Sequence, residues 1–172
     1  MNWSMLGAIL ILPGNVLVVI PALVLWITTN SQYGGQVAVP MEPRFWLAII
    51  LLVPGLGLSI WTARLFLKKG DGTPAPWNPP KKLVIRGPYR YVRNPMITSV
   101  LVTLSAEAIY FLSWPLLIWM VVFFLANAIY FPLFEEKGLE ARFGADYLNY
   151  KNHVPRWLPR LSPWSTDTVD PS

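Results

Sequence analysis

Two short stretches concentrate the polar chemistry of an otherwise apolar chain. The first, GPYRYVRNP at residues 87–95, holds two tyrosines, two arginines and two prolines. Pro88 and Pro95 fix the backbone at its ends, and Pro95 suits the first turn of an apolar helix starting near Met96. Amides at a helix start are unpaired and carry partial positive charge, so they can hold a carboxylate or another acceptor. Arg90 and Arg93 add forked donors, and Tyr89 and Tyr91 add flat faces with hydroxyl tips. The second stretch, FEEKGLEARFGADYLNYKNHVPRWLP, begins at Phe134 and opens with Glu135 and Glu136. Carboxylates at the end of an apolar helix oppose its dipole. Two adjacent ones therefore ask for a cation, which Arg90, Arg93 or a cationic ligand can supply. Arginines and tyrosines also serve as plain interfacial anchors, and glutamates as caps of solvated turns. A glutamate pair that faces an Arg/Tyr/Pro helix start across one hairpin favours a site.

These residues must be positioned by membrane helices. The chain has 172 residues, 54% hydrophobic and 13% charged, about half the charged share of a soluble domain. Mean hydropathy is +0.43. With no cysteine and one histidine, His153, the chain cannot build disulfides, thiolate sites or multi-histidine centres, and no metal is expected. Apolar segments at residues 5–27, 45–67, 96–112 and 114–134 can each cross a bilayer core about 30 Å thick, the third barely. The expected fold is all-α integral membrane, with about four transmembrane helices and a cytoplasmic Pro/Gly-rich loop. A C-terminal amphipathic helix is expected where Leu139, Phe143 and Tyr147 recur every four residues. One domain spans residues 1–161, and a polar tail covers 162–172.

Charge sets the orientation. Of the fourteen lysines and arginines, all but Arg44 lie at the end of the second segment (Arg64), between the second and third segments, or after the fourth. By the positive-inside rule both regions are cytoplasmic, as is the N-terminus, while residues 28–44 and the turn near Ser113 face outward. The net charge of +5 is thereby explained by a membrane surface, and no nucleic-acid partner is expected. The absence of targeting signals points to a prokaryotic inner membrane. GDGTPAPWNPP at residues 70–80 forbids helix and reads either as a stiff linker or as a shaped loop over a cytoplasmic pocket, anchored by Trp77. Pro13, Pro21, Pro54 and Pro132 are expected to kink their helices. PGLG at 54–57 permits a close helix approach. Glu107 is expected to reach the interface, and Asn127 to join helices.

The ordered set LVIRGPYRYVRNP, a short two-span hairpin, EE and FGADYLNYKNHVPRWLP resembles the isoprenylcysteine carboxyl methyltransferase and phospholipid methyltransferase superfamily, over roughly residues 65–160. The resemblance implies an integral membrane enzyme that uses S-adenosyl-L-methionine without a Rossmann fold, in a pocket between the last two helices and the loop before them. It places the family's cofactor-binding positions on Lys81, Lys82, Leu83, Val84 and Tyr89, on Arg93, Asn94, Pro95, Met96 and Ile97, and on Glu135, with Glu136 beside it. Asn94, Ile97 and Ser99 stand where the family has histidine, tyrosine and glycine. Phe131 stands where the prenylcysteine enzymes carry an arginine for the substrate carboxylate, so that anchor is missing here.

The function these residues imply is methyl transfer to a lipophilic acceptor that enters from the bilayer, with membrane lipids as partners. In-line transfer needs mainly positioning and exclusion of water. An amine acceptor would have to lose a proton, for which Glu136 and Tyr147 are the catalytic candidates. Tyr147, Tyr150 and Arg156 are read either as shaping the acceptor entrance or as interfacial packing. The alternatives are a steroid-reductase-like enzyme using a nicotinamide cofactor and a non-catalytic scaffold or lipid-binding relative.

Overall fold

The computed structural model describes residues 13–65 and 82–165. The loop at 70–80 and Lys81 lie outside these residues, as do the ends of the first two expected spans. All regular structure among the described residues is helical: α1 (Ile20–Thr28), α2 (Pro43–Leu65), α3 (Pro95–Tyr110), α4 (Trp114–Tyr130) and α5 (Glu136–His153). Two runs, Pro43–Leu65 and Trp114–His153, are long and apolar enough to cross a membrane; Asn15–Thr28 and Pro95–Tyr110 are shorter apolar helices. At about 24 Å, α3 is shorter than a bilayer core is thick.

The outer faces suit lipid. Ile50, Val53 and Ile60 of α2 are exposed, as are Ile118, Val121 and Leu125 of α4. Contact between helices is instead mediated by small and hydroxyl residues, as expected where lipid removes the hydrophobic incentive to associate. α2 and α3 approach at Gly55, where an added Cβ would lie 2.7 Å from Thr103 Oγ1. One turn further, Ser59 and Ser99 share a 2.7 Å hydrogen bond. Close approach thus uses the first glycine of PGLG, while a Cβ on Gly57 would meet nothing within 4 Å.

Two prolines act through π turns. Pro21 and Pro132 lack the amide that a regular helix needs. Ahead of Pro21, the Asn15–Val19 π turn closes from the Ile20 amide to the Asn15 carbonyl. Trp119 Nε1 donates to the Val16 carbonyl within it at 3.2 Å. The second π turn, Phe131–Glu135, contains Pro132 and closes from the Glu136 amide to the Phe131 carbonyl. α4 therefore runs on into α5 instead of stopping at Phe134.

Two expectations inside the spans are corrected. Glu107 does not carry both oxygens to the interface: its Oε2 is buried without a hydrogen-bond partner. Asn127 donates to the Phe123 carbonyl of its own helix at 2.8 Å, the local side-chain-to-backbone bond that competes with bonds between helices.

Candidate functional site

The loop before α3 is built by its glycine and prolines. Gly87 has φ +56, and a Cβ there would press on Trp61 at 3.0 Å and Leu65 at 3.2 Å. A left-handed backbone flush against α2 admits glycine alone. Gly87–Arg90 then forms a 3-10 turn with Pro88 in its first turn, and the Pro88 carbonyl accepts the Tyr91 and Val92 amides. Pro95 opens α3, and the Asn94 side chain makes no capping bond to it. The first amides of α3, including those of Met96 and Ile97, are thus left to other acceptors.

The segment after α5 fastens this loop from the other side. Arg93 N donates to the Pro155 carbonyl, Arg160 N to Tyr91 and Trp164 N to Arg90, while Arg90 Nε returns a 2.6 Å bond to the Trp164 carbonyl. Trp164, which the sequence places in a polar tail, is buried in a cluster with Tyr147, Tyr150 and Val154; Leu83, Ile85, Leu139 and Phe143 pack around it. The Tyr150 hydroxyl donates to the Tyr89 carbonyl at 2.7 Å. Tyr147 and Tyr150 are therefore interior residues. A break at Gly144, with φ 52 and ψ −127 inside α5, occupies a region open to glycine alone and separates the Leu139–Phe143 half of α5 from the Tyr147–Tyr150 half.

At the centre of this lacing lies Glu136, 3% exposed. Arg93 Nη1 donates to Oε1 at 2.8 Å. Arg156 donates through Nε to Oε1 at 2.6 Å and through Nη2 to Oε2 at 2.9 Å. Lys151 lies 3.4 Å from Oε2 and bonds Glu140 at 2.5 Å. Burial pushes the Glu136 carboxyl up, but the Arg156 hydrogen bonds and the charges of Arg93, Arg156 and Lys151 win, and the net shift is downward. Glu136 is held ionised. The cationic partner expected for the glutamates is thus Arg93 and not Arg90. Arg156, expected at the acceptor entrance, is instead the second wall of the cage.

Glu135 is not part of the cage. Burial raises its carboxyl above the ordinary range, with Arg142 opposing. The π turn separates the fates of the two neighbours: its extra residue re-phases the helix, so that Glu136 turns into the cage. The Tyr147 hydroxyl is raised by burial and by Glu136, against the Arg93 hydrogen bond. Burial together with Tyr150 drives the Tyr89 hydroxyl well above its ordinary value.

Of the sequence-derived site residues, the structure gathers Arg93, Glu136 and Tyr147 around one carboxylate and sets Leu83, Val84 and Tyr89 in the packed floor. Asn94, Pro95, Met96 and Ile97 form the start of α3, Lys82 is exposed, and Lys81 lies outside the described residues. Sequence reasoning missed the bidentate role of Arg156 and the anchoring by Trp164. The available signal was a non-acidic RWLPRLSPW run directly after α5.

The cage carries a formal surplus of one positive charge, three cations against Glu136 and Glu140. Arg93 Nε is buried with no hydrogen-bond partner. A buried donor left unpaired beside surplus positive charge fits a bound anionic group.

The sequence pattern of one family, described as phospholipid methyltransferase, matches residues 43–146, more than half of the chain. No curated protein matches the chain.

Proposed function

We propose that this chain, which belongs to the phospholipid methyltransferase family, transfers the methyl group of S-adenosyl-L-methionine to a lipophilic acceptor at the cytoplasmic face of a membrane. The family is membrane-associated and implies methyl transfer. The cofactor, the acceptor's position and the residue roles are the proposal. Its main support is the unpaired, buried Arg93 Nε within the matched region.

When bound, S-adenosyl-L-methionine supplies a methyl group already activated on a sulfonium. The chain's own residues then have to bind, orient and exclude water. Arg93 and the first amides of α3 suit the cofactor carboxylate. Glu135, half-buried and outside the cage, suits the ammonium or ribose hydroxyls. Glu136 stays ionised and aims Arg93; with both oxygens hydrogen-bonded, it is a weak proton acceptor. Tyr147, whose hydroxyl is raised by burial and by Glu136 and so keeps its proton, is the candidate to donate a hydrogen bond beside the acceptor and not to take a proton from it. Phe131 offers no charge to an acceptor carboxylate, so a prenylcysteine carboxylate lacks its anchor at that position.

In this reading four spans cross a prokaryotic inner membrane, with the lysines and arginines other than Arg44 on the inner side. The deciding experiment is calorimetric titration of the detergent-solubilised chain with S-adenosyl-L-methionine, beside Arg93→Met. Binding by the parent and its loss in a variant that remains folded support the reading. A folded parent that does not bind overturns it.

A further inference from the structure

The segment after α5 has a second face. Trp157 packs edge-on against Phe124 at 5.5 Å and Phe131 at 5.9 Å between ring centroids. Phe124 of α4 and Phe131 of the π turn that continues it lie about two turns apart. The segment therefore runs beside the apolar helix at the depth of its cytoplasmic half. Next to Trp157, Leu158 is 80% exposed, and Leu161 is fully exposed. Ile129 of α4 and Leu133 and Phe134 of the π turn after it are exposed as well, so apolar surface lies open both on the segment and on the helix it flanks. Two large aliphatic side chains held open to water are costly, and an apolar patch of this kind marks a partner. Between them, Arg160 uses Nη1 on the His153 carbonyl at 2.8 Å. Residues 154–165 carry Arg156 and Arg160 and no acidic side chain.

We infer that residues 154–165 form a strap docked on the bilayer itself. Leu158 and Leu161 enter the boundary between headgroups and acyl chains, and Arg160 stays at the level of the lipid phosphates. On its other face the strap holds the Arg90–Arg93 loop through the Pro155, Arg160 and Trp164 backbone bonds and supplies Arg156 to the cage. The bilayer thereby supports the geometry of Arg93 from outside the fold. The inference rests on α4 lying in the membrane and not on methyl transfer.

The chain has no cysteine, so Leu158→Cys and Leu161→Cys each create one labelling position, at side chains the fold does not bury. Each variant is labelled with an environment-sensitive fluorophore and placed in nanodiscs of phosphatidylcholine and phosphatidylglycerol. The expected result is blue-shifted emission, quenched by nitroxide-bearing lipids and protected from aqueous iodide. Quenching by iodide and not by the lipid nitroxide at both positions would overturn the inference. Neither readout involves S-adenosyl-L-methionine, so failure of the strap and failure of the proposed methyl transfer are separate results.

Discussion

Arg156 grips Glu136 with two parallel hydrogen bonds, Nε to Oε1 at 2.6 Å and Nη2 to Oε2 at 2.9 Å. Arg93 reaches the same Oε1 from the start of the loop–helix junction. One buried carboxylate thus joins α5, the segment behind it and the stretch that precedes α3.

Breaking that grip leaves a buried charge short of partners. Arg156→Ala is expected to destabilise the protein by about 3 kcal/mol, read as a lower melting temperature in detergent. Arg156→Lys keeps the charge and loses the fork, so its melting temperature should fall between the two. Equal melting of all three proteins would mean that the cage adds nothing to the fold.

The two adjacent glutamates should respond differently to the same change. Glu135→Gln lies outside the cage and is expected to weaken S-adenosyl-L-methionine binding strongly while leaving the melting temperature near that of the parent. Glu136→Gln is expected to lower the melting temperature first, by about 3 kcal/mol of stability. Unchanged cofactor affinity of Glu135→Gln by calorimetry would remove Glu135 from the site.

Their pH dependences have opposite signs. The Glu136 carboxyl lies below its ordinary value of 4.5 in the folded chain. Its contribution to stability is present above that value and is lost as pH falls through the lower folded value. The Glu135 carboxyl lies above 4.5, so its own contribution to stability declines as pH rises from 4.5 through the raised value. Affinity for the cofactor's cationic group should rise over that same window, as Glu135 ionises. Titrations at several pH values should show this rise in the parent and a flat profile in Glu135→Gln.

The α2–α3 contact offers an internally controlled test. Gly55→Ala places a Cβ 2.7 Å from Thr103 Oγ1 and is expected to cost about 1–3 kcal/mol. Gly57→Ala meets nothing within 4 Å and should be neutral or slightly stabilising through helix propensity. Similar melting temperatures for the two variants would show that the helices do not approach at Gly55.

The helices α1 to α4 were legible in the sequence because each is an apolar run bounded by proline, glycine or charge, α5 because Leu139, Phe143 and Tyr147 recur every four residues, and the need of the glutamates for a cation followed from charge alone. That pattern could not say which glutamate would turn inward. The choice depends on a π turn, and hence on how the helix repairs the amide missing at Pro132. Arg156 and Trp164 were harder still. Their partners, Glu136 and the Arg90 backbone, are distant in sequence, and no periodicity announces such a pairing. Tyr150 looked interfacial because tyrosine tips prefer water, yet its hydroxyl is satisfied inside by the Tyr89 carbonyl. Glu107 is the remaining exception: one of its oxygens is buried unpaired, and no feature of the fold accounts for it.

The lacing of residues 90–93 to Pro155, Arg160 and Trp164 also bears on biosynthesis. Chains fold from the N-terminus as they leave the ribosome, and the helices can be delivered to the membrane in order. The polar stretch before α3 nevertheless waits for residues 155–164 to be translated before its backbone and Arg93 find their partners. A message truncated after α5 would yield a chain that inserts but never assembles its cage, leaving charged groups exposed that quality control can recognise.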